Sequence, residues 1–334
     1  MICVHGLRAP ASGAPRNDTG ARGPHVSFWD VLLQQVINGL SLGAMYALLA
    51  LGFTMVYGII ELINFAHFNV FMVGSFIALW LLQAMGIVGQ GHPLHGVELI
   101  GVLAAAFTVT MVVSGVLGVA IERLALRPLR NVPGTAAMIT TIGVSYILFN
   151  VILLGAGADS KNYSNPLPAV RWEIGEATLR LRELLVWGVA LALMLALHLF
   201  VRRTKMGKAM QATAQDQEAA RMMGVDVDRV VAVAFFLGSA LAGAAGLIFG
   251  LYYNYTSFII GYTAGLRAFT AAVLGGIGNI PGAMLGGLLI GLIESLGGQF
   301  LAVRWTDVII FSILVLVLVF RPTGLLGRAA PTKS

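Results

Sequence analysis

The sequence predicts an all-α fold, a polytopic transmembrane helical bundle of eight to ten spans, on three observations. Hydrophobic residues make up 58% of the 334 and charged residues 11%, against about 45–50% and roughly 25% in soluble domains. Apolar runs approaching or exceeding the roughly 20 residues needed to cross a bilayer as helix recur along nearly the whole chain, and the mean hydropathy is +0.86. Gly, at 41 residues, is abundant inside those runs, where small side chains let helices approach closely. This composition excludes an ordinary soluble enzyme, a disordered chain and collagen.

Residues 1–27 are rich in Ala, Gly, Pro and Arg and hold no apolar run long enough for a signal-peptide core. They read either as a disordered tail or as a start assigned upstream of initiation near Val26. From Phe28 the apolar runs are 31–58, 66–88, 97–121, 134–154, 184–201, 230–252, 262–278, 282–299 and 305–320. The first is long enough for an interfacial helix (Phe28 to about Gly39) followed by a crossing. Only Asn279, Ile280 and Pro281 separate the seventh from the eighth. The membrane unit therefore covers 28–327, with a tail at 328–334.

The net charge is +6 and the pI near 9.7, yet the basic residues cluster in short loops between apolar runs, which indicates a membrane topology and no nucleic-acid partner. Arg123, Arg127 and Arg130 lie two spans before Arg202, Arg203, Lys205, Lys208 and Arg221, so both clusters share a side, the cytoplasm by the positive-inside rule. The loop between them, Gly155 to Glu183, is then outside. Arg321, Arg328 and Lys333 favour a cytoplasmic C-terminus. The N-terminal tail is outside with nine spans and inside with ten.

Glycines four apart share a helix face: Gly39 with Gly43, Gly246 with Gly250, Gly278 with Gly282 and Gly286, and Gly287 with Gly291. Tight helix packing accounts for each pair taken singly. The crowding through Gly275, Gly276, Gly278, Pro281, Gly282 and Gly286 predicts in addition a break in the helix near a transport path, since non-helical backbone at membrane depth needs protein or a water-filled cavity over it. No convincing inverted repeat is visible.

Catalytic and metal chemistry find little support. The single Gly-Lys pair, Gly207-Lys208, is followed by Ala209, and Arg202 stands where a Walker A motif needs Gly. No His-Glu-x-x-His occurs, the histidines are scattered, and Cys3 is the lone cysteine, so neither a metal nor a cofactor is expected. Few charges fall inside the spans: Glu61 and Glu98 near ends, Arg267, and Glu294 deep between glycines. Glu294 either pairs with Arg267 or lines a path. Uncharged candidates for the path are Asn64 and His67 at i, i+3, Thr141 and Ser145 at i, i+4, and Asn150, which shares a neighbouring face with Tyr146. Each is more often a satisfied interhelical hydrogen bond than a substrate ligand.

The loop 202–229 is the most informative segment. A short helix is expected from Asp216 to Met223, with acidic residues at its N-terminus, Gly224 to end it and Asp226 to cap the next span. Ala219, Ala220, Met222 and Met223 would suit a groove on a partner protein.

Glu218-Ala219-Ala220-x-x-x-Gly224 resembles the loop by which permeases of ATP-binding-cassette (ABC) importers dock onto their ATP-binding subunits. The stretches Gly43 to Gly58, Ile63-Asn64-Phe65-Ala66-His67, Ala268 to Gly282 and Arg321-Pro322-Thr323-Gly324 together are similar to the branched-chain amino-acid permease family, in order along residues 30–327. What the resemblance implies is a non-catalytic permease of the ABC-importer type in a prokaryotic inner membrane. Its partners would be a second, related permease, two cytoplasmic ATPases and an external substrate-binding protein. Glu218, Ala219, Ala220 and Gly224 would form the coupling helix. The family commonly follows its histidine with Gly-Glu, whereas here Phe68 and Asn69 follow His67, and Glu61 replaces a small residue. Urea and short-chain amide importers of the same superfamily therefore stay open as the alternative. A self-sufficient secondary carrier should carry more intramembrane charge than this chain does.

Overall fold

A computed structural model describes residues 27–87, 94, 96–129, 134–163 and 166–327. The expected tails, 1–27 apart from Ser27 and 328–334, fall outside the described residues, as does Arg130. The helices are α1 (Phe28–Ile60), α2 (Ala66–Ala84), α3 (Gly96–Ile121), α4 (Gly134–Ala156), α5 (Leu181–Arg203), α6 (Lys205–Gln215), α7 (Gln217–Met222), α8 (Val227–Tyr253), α9 (Ile260–Gly275), α10 (Ile280–Gly297) and α11 (Thr306–Phe320). Each expected apolar run is one of these helices. Among the described residues, seven helical stretches are long and apolar enough to cross a bilayer. The 16-residue α9 falls short of that length.

The last of the seven stretches, Ile280–Phe320, contains both α10 and α11. It folds back at Ala302, whose φ is 88°. Beyond α11, Leu325 and Leu326 donate backbone N–H bonds to Leu274 and Gly275, just before α10. The two helices thus form an antiparallel hairpin. In contrast, α1 is one uninterrupted helix of 33 residues, about 50 Å at 1.5 Å per residue, in place of an interfacial helix plus a crossing. Ser27 and Asp30 cap its start reciprocally.

Burial sorts the helices into two layers. In their most apolar stretches α1 is 83% buried, α8 78% and α2 72%, whereas α3, α4 and α5 lie between 17% and 28%. Nearly featureless apolar helices can pack this way because glycine opens their seams. A Cβ added at Gly43 would stand 2.7 Å from Leu288 Cα, and one at Gly291 would stand 2.1 Å from Gly43 N, so α1 and α10 meet backbone to backbone.

The glycine crowding does interrupt the helix, as a turn between α9 and α10. Gly276 and Gly278 take φ of 105° and 87°, Asn279 Oδ1 accepts from Gly282 N at 3.2 Å, and Pro281 sits in the first turn, where no N–H is needed. Gly275 and Gly286 are close-approach positions, a Cβ at either falling 2.0 Å from a carbonyl oxygen, of Gly282 and Ala271 respectively. The segment Arg321 to Gly327 covers this turn, aided by Asn279 Nδ2 donating to Leu326 O at 2.6 Å.

Contacts sort the ends of the bundle. At one end α7 meets the close of α1, Arg127 pairs with Asp228, and Gly58 approaches Gly278. At the opposite end Phe28 packs on Phe300, Gln35 Nε2 donates to Gln299 at 3.2 Å, and Thr178 N donates to Gln34 Oε1 at 2.8 Å. Here too are the antiparallel pairs β1 (Lys161–Asn162) with β4 (Tyr255–Thr256) and β2 (Arg171–Ile174) with β3 (Ala177–Arg180). The two basic clusters thus share one end with the close of α11. The start of α1 and the loop 155–183 share the other.

Candidate functional site: a coupling helix and an open polar face

Helix α7 is built as its residues dictate. Asp216 Oδ1 accepts from Ala219 N at 3.0 Å, Gly224 ends the helix at φ 83°, and Asp226 Oδ1 accepts from Arg229 N at 3.0 Å to start α8. Ala220 is buried and Glu218 is exposed, while Met222 and Met223 are 82% and 84% exposed. Gln217 Nε2 donates to Ile59 O at 2.9 Å, tying α7 to the end of α1, where Glu61 adopts the left-handed conformation at φ 52°. Helix α6 escaped the sequence reading. Its signal was Met206, Met210 and Thr213, which recur at helical spacing and face inward.

Four of the polar candidates surround the junction of α1 and α2. Asn64 Oδ1 accepts from Ala66 N at 3.1 Å, and the His67 ring lies 3.2 Å from Leu49 O. Thr141 Oγ1 accepts from Phe65 N at 3.2 Å. Asn69 Nδ2 donates to the carbonyl and hydroxyl oxygens of Ser145 at 2.7 and 2.6 Å, a partner the sequence reading did not supply. Asn64, His67 and Thr141 are buried and Ser145 is half-buried; Thr141 and Ser145 bind α4 to the junction, Asn64 caps the turn into α2, and His67 ties α2 to α1. Asn150 differs, standing exposed beside Tyr146 and donating to its carbonyl at 2.8 Å.

Between α4 and α9 the junction presents rings. Phe53 meets Phe269 edge-on at 5.4 Å, Phe65 meets Phe68 at 5.8 Å, and Phe149 meets Phe258 at 5.1 Å. On α9 the residues Tyr262, Leu266, Phe269 and Val273 share one stripe and are exposed or half-buried. On another face of α9, Arg267 Nη1 donates to Glu294 Oε1 at 2.5 Å and to the Tyr46 hydroxyl at 3.3 Å, while Nη2 donates to Asp307 Oδ1 at 2.9 Å. The expected Arg267–Glu294 pair is formed. Tyr46 and Asp307, separated from it by long stretches of chain, had no sequence signal. The letters Gly39-Leu40-Ser41-Leu42-Gly43 match a serine-hydrolase elbow, but Ser41 is buried inside α1 and donates to Ile37 O at 3.0 Å, without the strand-to-helix turn an elbow needs.

The family model described as branched-chain amino acid transport system / permease component matches residues 35–318. The chain belongs to this family. The match takes in α2 to α10 whole, α7 among them, and most of α1 and α11. Similar relatives include the high-affinity branched-chain amino acid transport system permease protein LivH of Escherichia coli K12, 42% identical over 90% of this chain and 97% of that protein. BraD of Pseudomonas aeruginosa, described in the same words, is 41% identical over the same shares. A probable branched-chain amino acid transport permease protein of Methanocaldococcus jannaschii is 31% identical over 84% and 88%. No solved structure matches the chain.

Proposed function

We propose that the chain is the membrane-spanning permease subunit of an ABC importer carrying leucine, isoleucine and valine inward across a prokaryotic cytoplasmic membrane. It works with a second, related permease, two cytoplasmic ATPases and an external binding protein. The observation that carries this is the exposed α7, whose Met222 and Met223 protrude while Gln217 holds the end of α1. Glu218, Ala219, Ala220 and Gly224 are its coupling elements. Closure of ATPases docked on α7 would push on α1 and the junction, and nucleotide drives the change to the extent that it binds one state more tightly. The close of α11 lies at the same end as α7, and the C-terminus that follows it is cytoplasmic on this scheme.

The path runs over the open face between α4 and α9. Its phenylalanines suit an aliphatic side chain. Asn150 and Glu294 contribute polar atoms, and Asn64, His67, Thr141 and Ser145 shape the wall. Uptake of radiolabelled leucine into proteoliposomes holding the assembled complex tests this. Uptake should require ATP, and Glu218→Ala and Gly224→Asp should lose it with the subunits still assembled. Uptake by the chain alone without ATP would make it a secondary carrier. ATP hydrolysis that ignores all three amino acids would pass the substrate to urea or a short-chain amide.

A further inference from the structure

Charges within membrane helices are costly and mark function when packing does not need them. One carboxylate would neutralise Arg267, yet two face it. Glu294 lies 2.5 Å from one guanidinium nitrogen and Asp307 2.9 Å from the other, leaving the trio with a net negative charge. Glu294 Oε2 is buried without a hydrogen-bond partner, a state that costs free energy unless a donor arrives. Asp307 is the opposite, with 63% of its side chain exposed. The trio sits toward the end of the bundle opposite α7, because Asp307 opens α11 just after the fold-back at Ala302. The stripe of Tyr262, Leu266, Phe269 and Val273 runs along a different face of α9, with Leu266 its member adjacent to Arg267 in the chain.

An amino-acid zwitterion matches this arrangement part for part. Its ammonium has three donors and no acceptor, and the trio offers an orphan carboxylate oxygen and an exposed carboxylate. Its carboxylate suits the guanidinium N–H groups of Arg267 that remain beyond the bonds to Glu294, Tyr46 and Asp307, and its aliphatic side chain suits Leu266, the stripe residue adjacent to Arg267 in the chain. Tyr46, buried and bonded to Arg267, fixes the guanidinium from behind. We propose that Arg267, Glu294 and Asp307 form the seat that receives the charged head of the amino acid at the external mouth of the path. This rests on the reading of the chain as an amino-acid permease. Urea and short-chain amides carry neither charge, so the seat would also separate the two substrate classes.

The experiment is leucine uptake by the reconstituted complex at saturating binding protein. Asp307→Asn, a change at an exposed side chain, should lower the initial rate tenfold or more, and Asp307→Glu should restore most of it. Asp159→Asn alters an exposed carboxylate at the same end and should change nothing. The exchange of Arg267→Glu with Glu294→Arg keeps an ion pair between the helices but reverses the seat, so uptake should stay lost while the complex assembles. Wild-type rates in Asp307→Asn, or recovery of transport in the exchanged pair, would overturn the proposal by reducing the trio to a packing device. A wild-type complex that hydrolyses ATP without moving leucine would instead indict the reading on which it rests.

Discussion

Gly224 has a φ of 83° and nothing within 4 Å of where a Cβ would stand, so substitution there acts on the backbone alone. Gly224→Ala should add about 1–2 kcal/mol of left-handed strain, loosening the end of α7 without a clash. The expected result is a fall in leucine moved per ATP hydrolysed, with the complex intact on size exclusion. Asn69 and Ser145 offer a second residue-level test, because their bond is lopsided. Ser145→Ala removes the hydroxyl but leaves the carbonyl for Asn69 Nδ2, at a cost of about 1 kcal/mol or less. Asn69→Leu deletes both bonds and sets a bulky group beside Gly261, whose Cβ position lies 2.5 Å from Asn69 Oδ1. Melting temperatures of the purified chain should therefore fall clearly more for Asn69→Leu than for Ser145→Ala. Equal shifts would show that the hydroxyl carries the contact.

Between elements, the seams are glycine. Gly291→Ala would drive a methyl to within 2.1 Å of Gly43 N, and backbone cannot yield as a side-chain tip does. Gly101→Ala, on α3 with open space around it, is the matched control. The first should cost about 1–3 kcal/mol or more, and the second should be neutral or slightly stabilising through helix propensity. A thermal-shift series in detergent reads both, and similar melting for the two would refute the backbone seam. The helices were legible because each apolar run ends at charge, Pro or Gly, and α7 because Asp216, Gly224 and Asp226 are cap residues at the right spacing. The fold-back of α10 on α11 was legible as two runs, although its left-handed Ala302 was not. Asn64, His67, Thr141 and Ser145 were found as polar atoms in apolar helices, but sequence says nothing of which atoms meet. The bonds of Asn69 to Ser145 and of Arg267 to Tyr46 and Asp307 join residues far apart in the chain and emerge only from packing.

For the whole molecule, the two ends of the bundle differ in charge. Nine described basic residues stand at the α7 end: Arg123, Arg127, Arg202, Arg203, Lys205, Lys208, Arg221, Arg229 and Arg321. Five stand at the other: Lys161, Arg171, Arg180, Arg182 and Arg304. Each group holds an ion pair, Arg127 with Asp228 and Arg182 Nε with Glu183 at 3.0 Å, and the Arg182 guanidinium also lies 5.0 Å above the Tyr252 ring. Tyr163 reinforces that end, its hydroxyl donating to Ser75 O at 3.2 Å and held protonated by burial, which pushes its pKa up. On the positive-inside rule the expected arrangement has α7 in the cytoplasm and the β2–β3 hairpin outside. In a Cys3→Ser background, Met223→Cys and Trp172→Cys each place one thiol at an exposed position, 84% and 45% accessible in the parent residues. A membrane-impermeant maleimide added to intact spheroplasts should label the Trp172 position at once and the Met223 position only after permeabilisation. The reverse pattern would invert the molecule and remove α7 from the reach of any cytoplasmic ATPase. Labelling of both from one side would break the assignment of the two ends.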